Sequence, residues 1–336
     1  MGRTGKQTVN FPSGPRIEAY TSAVGKKESE GPLGKYFDTV EEDVFLGEET
    51  WERAESRLFE IGYNSILQKA GLSSGDINYI FAGDLLNQCT ASAFGMKMCG
   101  VPYFGIFGAC STMAEGMSLA AMLTDGGFSE KSVAVAGSHF CSAEKQFRLP
   151  LEYGGQRPPS AQWTVTGLGA VCIGKTGKVK ITEATTGVIT DYGIKDAANM
   201  GAAMAPAFVS TLCAHFKDTG RTPEHYDMIL SGDLGLVGKE IAKELMKKEG
   251  YDISENYNDC GAMIFDPEKQ DTHSGGSGCG CSASVLCGYI LPRLENGELK
   301  KVLFIATGAL MSPTSSQQGG SIPSVAHAVA LEGLST

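Results

Sequence analysis

Gly108-Ala109-Cys110-Ser111-Thr112 and Gly278-Cys279-Gly280-Cys281-Ser282 decide how this chain reads. Each string opens a helical pattern of small residues. Each pattern leads to a strand ending in glycine, at Ala136-Gly137-Ser138 and at Thr307-Gly308-Ala309. Cys110 and Cys281 stand 171 positions apart, and so do Gly137 and Gly308. Equal offsets at two landmarks predict a duplicated unit. Upstream the repeat continues at another offset: Gly71 to Gly220 and Gly83 to Gly232 are each 149 positions. The change of offset places an insertion between Leu234 and Cys281, in the segment 239–273, whose start (239–250) reads as a charged helix.

A third echo, Gly169-Ala170-Val171 against His327-Ala328-Val329, closes each half. The halves divide near Gly174–Lys178, giving an N-terminal half (1–175) and a C-terminal half (176–336). Each reads helix, strand, cysteine-bearing helix, strand, loop, strand. That order predicts a layered α/β fold whose halves pack about a pseudo-twofold axis. The first helix runs from about Glu49 to Ala70, with Trp51, Ala54, Leu58, Ile61 and Ser65 on one stripe, and Gly71 stops it. Residues 1–48 read as an irregular lead-in. The long connection 139–164 is expected to cover a pocket, a dimer contact or both.

Composition narrows the function. The chain has 336 residues, 42% hydrophobic and 20% charged, with a net charge of −10. That balance is globular, and it disfavours unaided binding to nucleic acid or anionic lipid. Ten cysteines follow an N-terminus without an apolar signal region, which predicts reduced thiols in a cytosol-like compartment. Cys279-x-Cys281 and Cys287 have no second cysteine pair and no histidine partner, so no metal and no cofactor is expected. Residues 197–216 carry no formal charge but contain Asn199, Pro206 and His215, and read as a buried helix rather than a membrane span.

Cys110 follows a strand-like 103–107 and precedes a helix over 111–124. A helix N-terminus offers free N–H groups and partial positive charge, which lowers a thiol's pKa and equally welcomes a carboxylate. Nucleophile and anion site are one geometry read two ways, and a small buried cysteine is the plain alternative. Acyl transfer at Cys110 also needs a proton carrier and oxyanion donors. Of the five histidines, His215 and His225 are expected at the surface and His273 is ambiguous. His139 follows a strand and His327 lies in the closing strand, so either suits a cleft. Asp84 and Asp233 each follow a strand end, where they either meet in a site or cap local backbone. Arg148 and Arg157 are the countercharges in the 139–164 connection, beside the aromatic Phe140 and Tyr153. The glycine run 274–278 lacks a phosphate-loop ending.

A duplicated α/β unit with Gly-Ala-Cys-Ser-Thr at a helix start resembles the thiolase and ketoacyl synthase superfamily. The resemblance covers nearly the whole chain and implies a duplicated αβαβα layered fold, commonly a homodimer. Longer strings resemble the stage V sporulation AD family more closely. They are Glu30-Gly-Pro-Leu-Gly34, Ala82-Gly-Asp-Leu-Leu-Asn-Gln88, Phe107-Gly-Ala-Cys-Ser-Thr112, Glu152-Tyr-Gly-Gly-Gln156, Asn258-Asp-Cys-Gly261, Gly275-Gly-Ser-Gly-Cys279 and Ala306-Thr-Gly-Ala-Leu310. Type III condensing enzymes place a histidine where this chain has Asp233, and an asparagine in the loop held here by Ser277–Cys279. Cys110 keeps the nucleophile position and its helpers are missing.

The closer resemblance implies a non-catalytic role in binding dipicolinic acid, a flat pyridine dicarboxylate that accumulates with calcium. The protein would act in uptake into the forming spore and in release at germination. It would be soluble and peripheral to the inner spore membrane, alongside membrane subunits of the same stage V system. The expected ligand-binding set is Asp84, Cys110, His139, Arg148, Tyr153, Asp233, Ser277 and His327, with Arg148 as countercharge and Tyr153 as stacking face. The rival reading is an acyl-CoA condensing enzyme using Cys110. A third is a scaffold whose pocket is a relic.

Overall fold

The computed structural model describes residues 2–147 and 157–334. The principal strands are β1 (Arg16–Gly25), β2 (Tyr79–Gly83), β3 (Tyr103–Gly105), β4 (Ser132–Ser138), β5 (Gly167–Gly174), β6 (Val179–Thr186), β7 (Met228–Ser231), β8 (Tyr257–Asp259), β9 (Lys301–Ala309) and β10 (Ser324–Gly333). They lie in the order β8-β7-β9-β10-β6-β1-β5-β4-β2-β3. Read outward from the centre, each half repeats one order, β1-β5-β4-β2-β3 and β6-β10-β9-β7-β8. The pairing sense repeats too. The outer pairs β2–β3, β2–β4, β7–β8 and β7–β9 are parallel, and the inner pairs β4–β5, β1–β5, β9–β10 and β6–β10 are antiparallel. The equivalent strands β1 and β6 meet antiparallel, Ile17 opposite Val179 and Arg16 opposite Lys180. A twofold axis between the halves requires that contact.

Alternation along each strand feeds two cores. On β9, Val302, Phe304 and Ala306 enter the central core, while Leu303 and Ile305 enter an outer one. On β4, Ala134 and Ala136 point to the centre, and Val133 and Val135 to the other outer core. Helix α1 (Trp51–Ala70) covers the first outer face through Leu58, Phe59, Tyr63 and Ile66. Thr50 caps its start by accepting from Arg53 N, and Gly71 ends it at φ 64°. Between the two sheet halves lie α2 (Thr112–Asp125), with Met113 and Met117, and the helix that begins at Cys279. The second outer face carries α4 (Met200–Thr219) and α5 (Gly235–Lys248), and α3 (Phe140–Phe147) rides beside the central layer. The result is the duplicated αβαβα sandwich.

Two expectations fail here. Residues 1–48 are not merely a lead-in, because they contain β1, the strand that joins the halves. Its buried end, Thr21-Ser22-Ala23, is small and polar, so no apolar run marks it. His215 is not at the surface. It is fully buried, with Nδ1 2.8 Å from the Thr185 hydroxyl and Nε2 2.5 Å from that of Tyr226. Burial, helped by the Arg221 charge, lowers its pKa to about 3. The repeat's extra length becomes a longer α5 and the added α6 (Cys260–Ile264), which wrap β8, the counterpart of β3, at the outer edge of the second half.

Candidate functional site

At the strand–helix junction of the first half, Ala109, Cys110 and Ser111 form a tight turn before α2. Ala109 holds φ 49°, a left-handed conformation that costs a side-chain-bearing residue about 1–3 kcal/mol. Gly308 of β9 makes room for this junction. A Cβ there would stand 2.0 Å from the Gly108 carbonyl oxygen. This glycine near the end of β9 thus lets the two halves close on Cys110.

Cys110, 8% exposed, lines a cleft at this junction. Leu85, Phe107, Phe147, Met200, Met204 and Met311 give it apolar walls, and Glu144, Gln162, Thr164 and Ser277 supply the polar points. The Cys110 thiol faces the Asp233 carboxylate. Asp233 also accepts from Ser277 Oγ at 3.0 Å, Gly278 N at 3.0 Å and Thr307 Oγ1 at 2.8 Å. Gly278, at φ 101°, is the residue before the Cys279 helix, so this carboxylate occupies a donor that an oxyanion would otherwise use.

The electrostatics follow. Burial pushes the Cys110 thiol well above its ordinary pKa, and the Asp233 charge pushes it further. Burial also raises the Asp233 pKa, against the hydrogen bonds from Cys110, Gly278, Thr307 and Ser277 that hold it down. The expected low-pKa thiolate is therefore corrected. Desolvation and a facing acid outweigh the partial charge of the helix terminus. On the cleft wall, Glu144 pairs with Arg157 at 2.9 Å. The same guanidinium donates to Gln162 O at 3.0 Å and lies 4.7 Å from the Trp163 ring centre.

The family model of stage V sporulation protein AD matches residues 5–332. Stage V sporulation protein AD of Bacillus subtilis (strain 168) is 45% identical over 333 residues, covering 99% of this chain and 98% of that protein. The chain belongs to the stage V sporulation protein AD family.

The fold of this family member is also that of condensing enzymes. Cerulenin-bound OleA of Xanthomonas campestris superposes with a TM-score of 0.61 at 15% identity, covering 96% of this chain and 98% of that one. The 3-oxoacyl-[acyl-carrier-protein] synthase III of Aquifex aeolicus superposes with a TM-score of 0.59 at 15% identity, covering 95% and 100%. Likeness at this identity establishes the architecture alone.

The expected site residues divide in this family member. Cys110 and Ser277 line the cleft, and Asp233 is buried behind them in contact with both. Asp84 does not join them. It accepts from Leu86 N at 2.8 Å and Ser92 N at 2.7 Å, and so caps the backbone of its own half. His139 is buried with Nε2 2.8 Å from the Val44 carbonyl oxygen, away from the cleft lining. His327 accepts from Gly187 N at 3.3 Å and also lies off the lining, its pKa lowered by burial to about 4. Arg148 and Tyr153 fall outside the described residues. Sequence reasoning missed Gln162 and Glu144, which stand in no motif and at no repeat offset that marks them. Among the described residues no imidazole lines the cleft, no group of three or more His, Cys, Asp or Glu is placed to hold a metal ion, and no helix is long and apolar enough to cross a membrane.

Proposed function

We propose that this member of the stage V sporulation protein AD family is a non-catalytic binding protein whose cleft takes dipicolinic acid. In this reading it serves calcium-linked uptake of that acid into the forming spore and its release at germination. It works at the inner spore membrane with membrane subunits of the same stage V system. One observation carries the proposal. Asp233 stands against Cys110, raises its pKa and consumes the Ser277, Gly278 and Thr307 donors. A thiol held neutral beside committed donors lacks activation and oxyanion stabilisation, losses of about 100-fold or more each. What is left is a largely apolar slot suited to a flat ring, with few polar points.

A homodimer is part of the proposal. Strand β3 ends the first half as an exposed edge, with Phe94 57%, Met98 83% and Phe104 49% exposed around it. An apolar open edge invites pairing, and a second copy supplies a matching one. Calorimetric titration with dipicolinate and its ring analogue isophthalate tests the ligand. The expectation is saturable binding of dipicolinate, together with no acyl adduct by intact mass after incubation with acyl-CoA. Absence of any binding heat, or a stable adduct that vanishes in Cys110→Ser, sinks the reading.

A further inference from the structure

Gln162 is 5% exposed and lines the cleft. Its Nε2 is doubly committed, donating to the Asp233 carbonyl oxygen at 2.6 Å and the Gly276 carbonyl oxygen at 2.8 Å. Those two acceptors fix the amide's orientation, because the reverse assignment would set oxygen against oxygen. The side-chain oxygen, Oε1, is therefore pinned, and it is buried without a hydrogen-bond partner. Buried acceptors are ordinarily paired, so one left over beside a cleft marks where a ligand group belongs.

The charged and titratable neighbours are committed elsewhere. Arg157 spends one nitrogen on Gln162 O and another on Glu144, and Asp233 is held by four donors including the Cys110 thiol. His273, on the loop that leads to Gly276, pairs with Asp271 at 3.6 Å. A dehydrated hard cation needs six or more oxygen ligands. One spare amide oxygen meets the need of a single N–H or O–H.

We propose that Gln162 makes this cleft selective for a ligand that presents a hydrogen-bond donor, and that a pyridine dicarboxylate enters in its singly protonated form. The proposal rests on the dicarboxylate reading above. The carboxyl O–H donates to Gln162 Oε1, and the proton comes from bulk solvent. Charge supports the same choice. A monoanion meets less repulsion than a dianion from Glu144 on the wall and from Asp233 buried behind Cys110 and Ser277.

The test uses the whole chain and three ligands: dipicolinate, 6-carbamoylpyridine-2-carboxylate and 6-(methoxycarbonyl)pyridine-2-carboxylate. The last two are monoanions of similar shape, and only the amide carries a donor. Calorimetry is expected to show the amide binding about tenfold or more tighter than the ester. Dipicolinate binding is expected to take up about one proton, read from buffers of different ionisation heat. In Gln162→Met, checked for folding by circular dichroism, the amide's advantage disappears. If that variant fails to fold, the wild-type ligand pair still decides. Equal affinities for amide and ester, or dipicolinate binding without proton uptake, overturn the inference and leave the dicarboxylate reading standing. No heat with any of the three ligands overturns that reading itself.

Discussion

The two outer edges of the sheet occupy equivalent places and end differently. Register makes them comparable: Ala82 sits opposite Gly105 in the first half, and Ser231 opposite Asp259 in the second. The first edge, β3, is apolar and exposed along its whole length. The second, β8, is covered, with Tyr257 6% exposed and Asp259 fully buried. The insertion explains the difference. Helices α5 and α6 fold back over β8, and Asp259 ties them there. Its carboxylate accepts from Ser231 Oγ at 2.6 Å, Leu234 N at 2.8 Å, Gly235 N at 2.8 Å and Ala262 N at 2.9 Å. One extra segment thus turns one of two like edges into core and leaves the other open.

Removing the tie should break the comparison most strongly. Asp259→Ala leaves several buried donors unpaired, at about 1–3 kcal/mol each, and is expected to lower stability by about 3–4 kcal/mol in urea denaturation. Loss below about 1 kcal/mol would show that the insertion is held by packing alone.

The same carboxylate sets a pH dependence of smaller size. Burial raises the Asp259 pKa to about 6, from an ordinary value of 3.8. Between those values the unfolded chain has released the proton and the folded chain still holds it. The group's contribution to stability therefore falls as pH rises through that window, by up to about 1.4 kcal/mol per pH unit, and levels off above about pH 6. Asp259→Asn is expected to flatten the stability–pH slope by about one proton in that range. An unchanged slope would place the titration elsewhere.

The open edge gives the smallest effect on stability. Phe94→Glu with Met98→Glu removes only exposed apolar groups, so the folding free energy should shift by about 0.5 kcal/mol or less. The readout is association: light scattering after size exclusion should show a smaller mass than for the unmodified chain. Equal masses would mean that β3 is not the contact.

The aspartates of the repeat show how much of the site was legible. Gly83-Asp84-Leu85 and Gly232-Asp233-Leu234 are identical in pattern, so sequence placed both at strand ends and had no means of separating them. The structure sends Asp84 to its own backbone and Asp233 across to Ser277, Gly278, Thr307 and Cys110. The histidines mislead for the same reason. A strand-end position suggested that His139 enters the cleft, but the Val44 carbonyl holds it elsewhere. Strand β1 carries no apolar signal because Thr21 and Ser22 are buried through hydrogen bonds, Thr21 with the Ser65 hydroxyl and Ser22 N to the Asp38 carboxylate.

By itself the sequence determined the duplication, the α/β class, the junction bearing Cys110 and the place of the insertion. Those follow from periodicity and from glycines at fixed offsets, which act over a few neighbouring residues. Only the tertiary structure decided that the thiol is neutral, that Asp233 rather than Asp84 guards it, and that Gln162 Oε1 lacks a partner. Desolvation and hydrogen bonding depend on which groups from distant segments arrive at the same few ångströms, and no spacing along the chain encodes that.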